Sequence, residues 1–178
     1  ARFLSKALVP YFPLQVHQGD ALALDLAAIL GVSEEPWKVV ANLPYNVGTE
    51  VMFRLFEQAS YIKSMTLMFQ REVAQRIVAG PGDANYGLLS LMAQLHADVE
   101  LVMTLKPGAF VPPPKVHSAI VQFTMLERTR IDDEPLRALF QRIVRAGFQT
   151  RRKMLTTSLR SLGYKREPVE EALIEVGL

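Results

Sequence analysis

The 178-residue sequence contains no cysteine and no long apolar run, and each absence excludes a class of protein. Without cysteine the chain forms neither disulfides nor cysteine-based zinc sites, which suits a reducing compartment, and we predict a cytoplasmic location. No apolar stretch approaches the roughly 18 residues that cross a bilayer, so no membrane association is predicted. Residues 1–6 precede no continuous apolar core, so no signal peptide is predicted. The three histidines have no metal-ligand spacing, and we expect no metal site.

The residues that are present give an ordinary globular composition with an uneven distribution of charge. Hydrophobic residues make up 49% of the chain and charged residues 21%, which is enough apolar material for a buried core. The net charge is only +2, but residues 137–166 contain nine Lys or Arg and no acid. Such a window attracts phosphates, and the alternative is a solvated helix face.

The hydrophobic pattern predicts an α/β part followed by a helical part. Predicted strands lie at residues 16–20, 38–41, 65–69, 98–105 and 118–125, and predicted helices at residues 22–30, 50–56, 71–79 and 88–95. This alternation is typical of βαβ units and a mostly parallel sheet. From Glu134 onward the pattern is purely helical. We therefore predict an α/β domain over residues 1–128 and a small helical domain over residues 129–178.

The tetrapeptide Asn42-Leu43-Pro44-Tyr45 directly follows a predicted strand, where open α/β sheets hold their ligands. The Asn42 side-chain carbonyl and the Leu43 backbone carbonyl can each accept an N–H of an exocyclic adenine amine, whose lone pair is otherwise delocalised into the ring. Pro44 fixes its φ and holds both acceptors in place. Tyr45 offers a flat face to a flipped-out base, so Tyr45→Phe is expected to be nearly harmless. The alternative is that the tetrapeptide is merely a turn.

The same motif, extended to Asn46, resembles the active-site motif of the ribosomal RNA adenine N6,N6-dimethyltransferases, the group that includes the bacterial enzyme behind kasugamycin sensitivity. Three further stretches are similar to that family, at residues 69–76, 86–90 and 110–118. The family uses the last, proline-rich stretch to bring an aromatic ring onto the other face of the target base, a role that falls on Phe110. Consecutive prolines also suit a stiff loop that caps a sheet edge, which is the alternative.

This resemblance implies a Rossmann-like S-adenosylmethionine-dependent methyltransferase fold, with its N-terminal part missing, and a small all-helical C-terminal domain. It implies that Asp20, Ala21 and Asn42 bind S-adenosylmethionine. A helix N-cap is the alternative role for Asp20. The family's glycine-rich cofactor loop and ribose-binding acid are absent from the sequence, and the far end also ends in mid-pattern. We therefore expect the chain to be truncated at both ends, to bind the cofactor weakly and to be inactive alone.

Four basic residues are predicted to contact RNA. Residues 148–153 resemble the basic motif that opens the family's C-terminal domain, which implies that Arg151, Arg152 and Lys153 pair with phosphates. Lys115, in the proline-rich stretch, is the fourth. The predicted partner is small-subunit rRNA or the immature small ribosomal subunit, which a monomer is expected to bind.

The implied activity is the transfer of two methyl groups to N6 of each of two adjacent adenosines in small-subunit rRNA, with a role in ribosome biogenesis. One alternative is a large-subunit rRNA adenine methyltransferase of the macrolide-resistance type. Another is a ribosome-assembly factor that binds the subunit without catalysis and uses the same basic surface. A DNA adenine methyltransferase would leave the proline-rich loop and the basic helices unexplained.

Overall fold

A computed structural model describes residues 15–31, 33–149 and 153–177. The strands within them are β1 (Trp37–Asn42), β2 (Ile62–Gln70), β3 (Ala97–Leu105) and β4 (Ser118–Met125). The α-helices are α1 (Leu26–Leu30), α2 (Gly48–Phe56), α3 (Arg71–Val78), α4 (Leu88–Gln94), α5 (Glu134–Gln149), α6 (Leu155–Leu159) and α7 (Arg166–Glu175). Short 3-10 turns lie at Ala59–Tyr61, Pro107–Ala109 and Arg160–Leu162.

The four strands form one sheet in the order β1-β2-β4-β3. β1 runs parallel to β2, whereas β4 lies between β2 and β3 and runs antiparallel to both. The prediction of a mostly parallel sheet is therefore wrong for the described residues. The physical reason is the connection between β3 and β4, which is a loop over residues 106–117 and not a helical crossover, so the chain reverses direction.

The segment before β1 also differs from its prediction. Residues 16–20 form no strand in the structure, because no described strand pairs with them. The Asp20 carbonyl instead accepts the N–H groups of Ala23 and Leu24 in a turn. The predicted helix over residues 22–30 is shortened to α1, since the Asp25 side chain accepts the Ala28 N–H at 3.0 Å and begins the helix there. The other predicted strands and helices are confirmed to within three residues at each end.

The main core lies around β2 and β4. Buried side chains occupy the successive positions Leu67, Met68 and Phe69 of β2, a run that is typical of a strand covered on both faces. Phe123 of β4 is fully buried and meets the rings of Phe56 and Phe69 edge-on, at centroid distances of 5.8 and 6.4 Å. This core holds the carboxyl ends of β1 and β2 in fixed positions.

A second, smaller core joins α5, α6 and α7. Its buried members are Ala146, Leu159 and Val169, one from each helix. The three helices therefore pack on one another through side chains separate from those around the sheet. Among the described residues, no helix is long and apolar enough to cross a membrane.

Candidate active site

The turn after β1 presents acceptor groups at the carboxyl end of the strand. Asn42 is the last residue of β1 and is exposed, as are Pro44 and Tyr45. Leu43 between them is buried in the main core, so its side chain anchors the turn. The turn is closed by the Val47 N–H, which donates to the Pro44 carbonyl at 3.2 Å, directly before α2 begins. The backbone of the turn is thereby held at the sheet edge, with Asn42 as the last residue of β1.

The first residue of α2 is a glycine packed closely against the core. A Cβ at buried Gly48 would lie 3.3 Å from Phe69 Cδ1 and 3.6 Å from Leu43 Cβ. Glycine therefore allows the start of α2 to approach β2 and the tetrapeptide more closely than a side chain would permit.

The Tyr45 side chain is fixed at its tip. Its hydroxyl shares a 2.6 Å hydrogen bond with the Ser118 hydroxyl, and Ser118 is fully buried as the first residue of β4. Ser118 pairs with Gln70, the last residue of β2. The tetrapeptide is thus tied to the strand that follows the proline-rich loop. Ser118 was not predicted as a site residue, and the one local signal for it is a hydroxyl at the start of an apolar strand.

The turn and the proline-rich loop enclose a shallow cleft of about 250 Å³. Its lining residues are Asn42, Leu43, Pro44, Tyr45, Met68, Phe110, Pro112 and Pro114. The five residues predicted as catalytic from the sequence all belong to this set, so the structure brings them together although Phe110 is remote in sequence. Met68, which was not predicted, pairs with Asn42 in the β1–β2 ladder and adds an apolar side chain.

The remaining predicted cofactor residues, Asp20 and Ala21, do not belong to the set that lines this cleft. Both are exposed, and one carboxylate oxygen of Asp20 accepts the Leu22 N–H at 2.9 Å. This bond closes a local turn and caps no helix, because the N-cap of α1 is Asp25, so the alternative N-cap role of Asp20 is wrong. Their role towards a cofactor stays a prediction.

The predicted RNA contacts are distributed over two places. Lys115 lies exposed in the proline-rich loop, one residue beyond the cleft-lining Pro114. Lys153 is exposed after α5, whereas Arg151 and Arg152 lie outside the described residues. Within the described ranges, no group of three or more His, Asp or Glu side chains is placed to hold a metal ion.

The fold and the cleft together define an α/β protein of the Rossmann-like methyltransferase class. Two solved structures share it. A dimethyladenosine transferase from Plasmodium falciparum aligns with a TM-score of 0.69 and 29% identity, over 87% of this chain and 53% of that chain. The 23S rRNA methyltransferase ErmE aligns with a TM-score of 0.72 over 100% of this chain and 68% of that chain, and at 24% identity it shows the fold alone.

The family follows from the sequence comparison. The profile of the family described as ribosomal RNA adenine dimethylase matches residues 1–175, and the chain belongs to that family. Among curated relatives, the ribosomal RNA small subunit methyltransferase A of Syntrophotalea carbinolica is 43% identical over 93% of this chain and 61% of its own length. The protein of the same name from Paracoccus denitrificans is 48% identical over 93% of this chain and 57% of its own length. The chain thus spans about three fifths of the length of these relatives.

Proposed function

We propose that this chain carries the target-base site of an S-adenosylmethionine-dependent methyltransferase that dimethylates N6 of two adjacent adenosines in small-subunit rRNA. The observation that carries the proposal is the cleft, in which Asn42 and Leu43 lie with Tyr45 opposite the loop that bears Phe110. The names of the curated relatives support small-subunit rRNA over the large-subunit alternative, since they are 43% and 48% identical to this chain and ErmE only 24%.

The acceptor groups of the turn act on the target amine. The Asn42 side-chain carbonyl and the Leu43 backbone carbonyl each accept one of its N–H bonds, which draws the nitrogen towards tetrahedral geometry and returns its lone pair from the ring. When bound, S-adenosylmethionine would supply an electrophilic methyl group on its sulfonium and leave as the neutral thioether, and each transfer would release one amine proton to solvent. The backbone of the turn is preorganised because Leu43 is buried and the Val47 N–H closes the turn, so little backbone reorganisation is needed as the nitrogen becomes a nucleophile.

Two aromatic side chains hold the flipped base. Tyr45 and Phe110 both line the cleft, Tyr45 on the turn and Phe110 on the loop. Stacking on such rings contributes about 1–3 kcal/mol per base. The hydroxyl bond to Ser118 keeps the Tyr45 ring in one orientation, so the base meets a preformed surface.

Cofactor and RNA contacts complete the proposal. The exposed carboxylate of Asp20 fits an adenine amine of S-adenosylmethionine, because the Leu22 N–H holds the carboxylate in place, and Ala21 and Asn42 are the accompanying residues. Lys115 and the basic segment 151–153 would pair with rRNA phosphates of the immature small subunit. The helices that share the small core belong to the proposed helical domain over residues 129–178. We propose that the protein acts as a cytoplasmic monomer.

Asn42→Ala tests the mechanism in the full-length protein. Single-turnover transfer of a labelled methyl group to undermethylated small subunits is expected to fall by about 10²–10³, the usual loss for one preorganised partner of a transition state. Subunit affinity should stay near that of the wild type. The matched control is Asn85→Ala, since Asn85 is exposed and does not line the cleft.

Phe110→Ala provides the contrasting result. It removes stacking and not an acceptor, so substrate binding is expected to weaken by about one to two orders of magnitude.

Two outcomes would contradict the proposed function. A wild-type rate of methyl transfer in Asn42→Ala would mean that the tetrapeptide is only a turn. Wild-type protein that binds undermethylated subunits but transfers no label would instead support the assembly-factor alternative.

A further inference from the structure

The cleft between the turn after β1 and the proline-rich loop, proposed above to hold the target base, is called the target cleft. A second cleft, of about 200 Å³, lies beside it. It forms where β2 passes into α3, against the last residues of the proline-rich loop. Its lining residues are Gln70, Arg71, Glu72, Lys115, Val116 and His117. The Arg71 N–H donates to the His117 carbonyl at 2.9 Å, and Gln70 pairs with Ser118, so the two walls are fastened together by the backbone. The backbone positions from which the Arg71 and Lys115 side chains extend are therefore set by the fold.

The cleft is positively charged. Arg71 and Lys115 are exposed, and neither takes part in the ion pairs found within residues 15–31, 33–149 and 153–177. Gln70, the N-cap residue of α3, provides no side-chain cap, so the partial positive charge of the helix start adds to the two cations. Among the described lining residues Glu72 is the single acid, and it too is exposed.

We infer that this second cleft is a phosphate subsite for the RNA strand whose flipped adenosine enters the target cleft, an inference that rests on the proposed function. The two clefts are neighbours along one loop, because Pro114 lines the first and Lys115 lines the second. A flipped nucleotide remains joined to its own phosphates, so a base in the first cleft brings backbone phosphate to the rim that they share.

The two cations suit a phosphate in different ways. The Arg71 guanidinium presents a planar fork that matches two phosphate oxygens, whereas the Lys115 ammonium acts as a point charge. Both side chains fix the register of the strand and read no base, so their role is to position the adenosine over the acceptors of the turn. Arg71 was assigned no role from the sequence.

The first experiment compares Arg71→Gln/Lys115→Gln with Lys63→Gln/Arg128→Gln in the full-length protein. The control pair removes the same two charges near the opposite end of the sheet, where β2 begins and β4 ends, and its side chains are also exposed. The probe is a synthetic RNA stem–loop with two adjacent unpaired adenosines. The first variant should flatten the dependence of log affinity on log salt by about 0.7–0.9 for each phosphate that it no longer neutralises, and the control should not.

The second experiment locates the phosphate. Neutral methylphosphonates are placed one at a time along the loop strand, and affinity is measured for wild-type protein and both variants. The RNA affinity of the wild type and of the control pair should fall when a phosphate flanking the target adenosine is neutralised. The affinity of Arg71→Gln/Lys115→Gln should not change at that position and should fall only at other positions. The subsite is overturned if Arg71→Gln/Lys115→Gln loses affinity at every methylphosphonate position as the wild type does. It is also overturned if the control pair flattens the salt dependence equally.

Methylation of undermethylated small subunits by the wild-type protein, measured beside these affinities, separates the two proposals. If it forms N6-methylated adenosine but no flanking phosphate matters, the subsite is overturned and the proposed function stands. If flanking phosphates matter in the predicted way but no N6-methylated adenosine forms, the proposed function is overturned and the cleft remains an RNA-phosphate site. The single variant Arg71→Lys keeps the positive charge but lacks the planar fork. Its RNA affinity should depend on salt as that of the wild type does, whichever of these two results is obtained.

Discussion

The Tyr45 side chain serves the cleft with its ring and the fold with its hydroxyl. The ring lines the target cleft, while the hydroxyl lies 2.6 Å from that of the fully buried Ser118. The sequence predicted a stacking role alone, which made Tyr45→Phe nearly harmless. For base capture that stays a prediction, but the structure adds an expected loss of stability, because the phenyl ring would leave the Ser118 hydroxyl buried without this partner.

Tyr45→Phe is expected to lower the free energy of unfolding by about 1–3 kcal/mol, the usual cost of a buried polar group left unpaired. The double variant Tyr45→Phe/Ser118→Ala should recover most of this loss, since both polar partners are then gone. Urea unfolding of the wild type, both single variants and the double variant gives the coupling energy. Additive losses would show that the hydroxyl pair contributes nothing.

Among the cleft residues, sequence reasoning found those that share a local motif and missed those that meet through the fold. Asn42 to Tyr45 form one continuous motif, and Phe110 was assigned by resemblance to a family. Ser118 and Tyr45 are 73 positions apart, and their contact depends on β4 lying beside β2. No periodicity in the chain encodes that neighbourhood.

At the scale of elements, β2 and β4 were predictable because their burial leaves a direct pattern. Residues 118–125 alternate, and the structure has β4 over Ser118–Met125. The direction of β4 was not predictable from that alternation, since a strand has the same pattern in either direction. The strand predicted at residues 16–20 is absent for a related reason: a short segment becomes a strand only beside a partner, and no described strand pairs with this one.

The start of α2 gives a stability test. Gly48→Ala is expected to lower the free energy of unfolding by about 1–3 kcal/mol, because the new Cβ would lie 3.3 Å from the buried Phe69 ring and overpack it. Gly80→Ala, after α3, is the control, since no atom lies within 4 Å of its added Cβ, and its effect should stay within about 0.5 kcal/mol. The midpoints of thermal unfolding of the two variants measure the difference, and equal midpoints would show that the Phe69 ring moves to accommodate the added methyl group.

At the scale of the whole molecule, His96 lies where the helical part meets the sheet. Its ring stacks on Phe56 at 4.9 Å, and its Nδ1 is buried without a hydrogen-bond partner among the described residues. The surrounding cleft, of about 500 Å³, also takes charged residues from α5 and from the end of α2, namely Glu134, Arg137, Arg145 and Glu57. Burial, and secondarily the nearby Arg137 guanidinium, lower the pKa of His96 below its ordinary 6.5.

The sign of the pH effect follows from that shift. Above pH 6.5 the histidine is neutral in both the folded and the unfolded chain, so it contributes no pH dependence. As pH falls below 6.5 the unfolded chain takes up the proton first, and stability is lost until the lowered folded pKa is reached. Wild type should therefore lose more stability between about pH 7.5 and about pH 5 than His96→Phe, which keeps the stacked ring. Parallel urea curves at each pH measure the difference, and identical pH profiles would contradict it.

The basic segment after α5 gives a prediction about docking. Arg151→Ala/Arg152→Ala/Lys153→Ala should flatten the salt dependence of rRNA affinity by about 0.7–0.9 log units for each phosphate that is no longer paired with a cation. Filter binding from low to high salt measures the slope. The same number of charges removed from the exposed Lys38, Lys63 and Arg128 should leave it unchanged. If the triple variant keeps the wild-type slope of log affinity against log salt, the basic residues of 137–166 are better interpreted as a solvated helix face.

The loop over residues 106–117 begins and ends at a pair of neighbouring residues, because Leu105 and Ser118 are direct partners in the β3–β4 ladder. Its length is therefore decoupled from the register of the strands. Closing a flexible loop of twice the length costs only about 0.6 kcal/mol more. A change in the length of the loop would therefore move the cleft-lining residues Phe110, Pro112 and Pro114, while it leaves the pairing of the two strands in place.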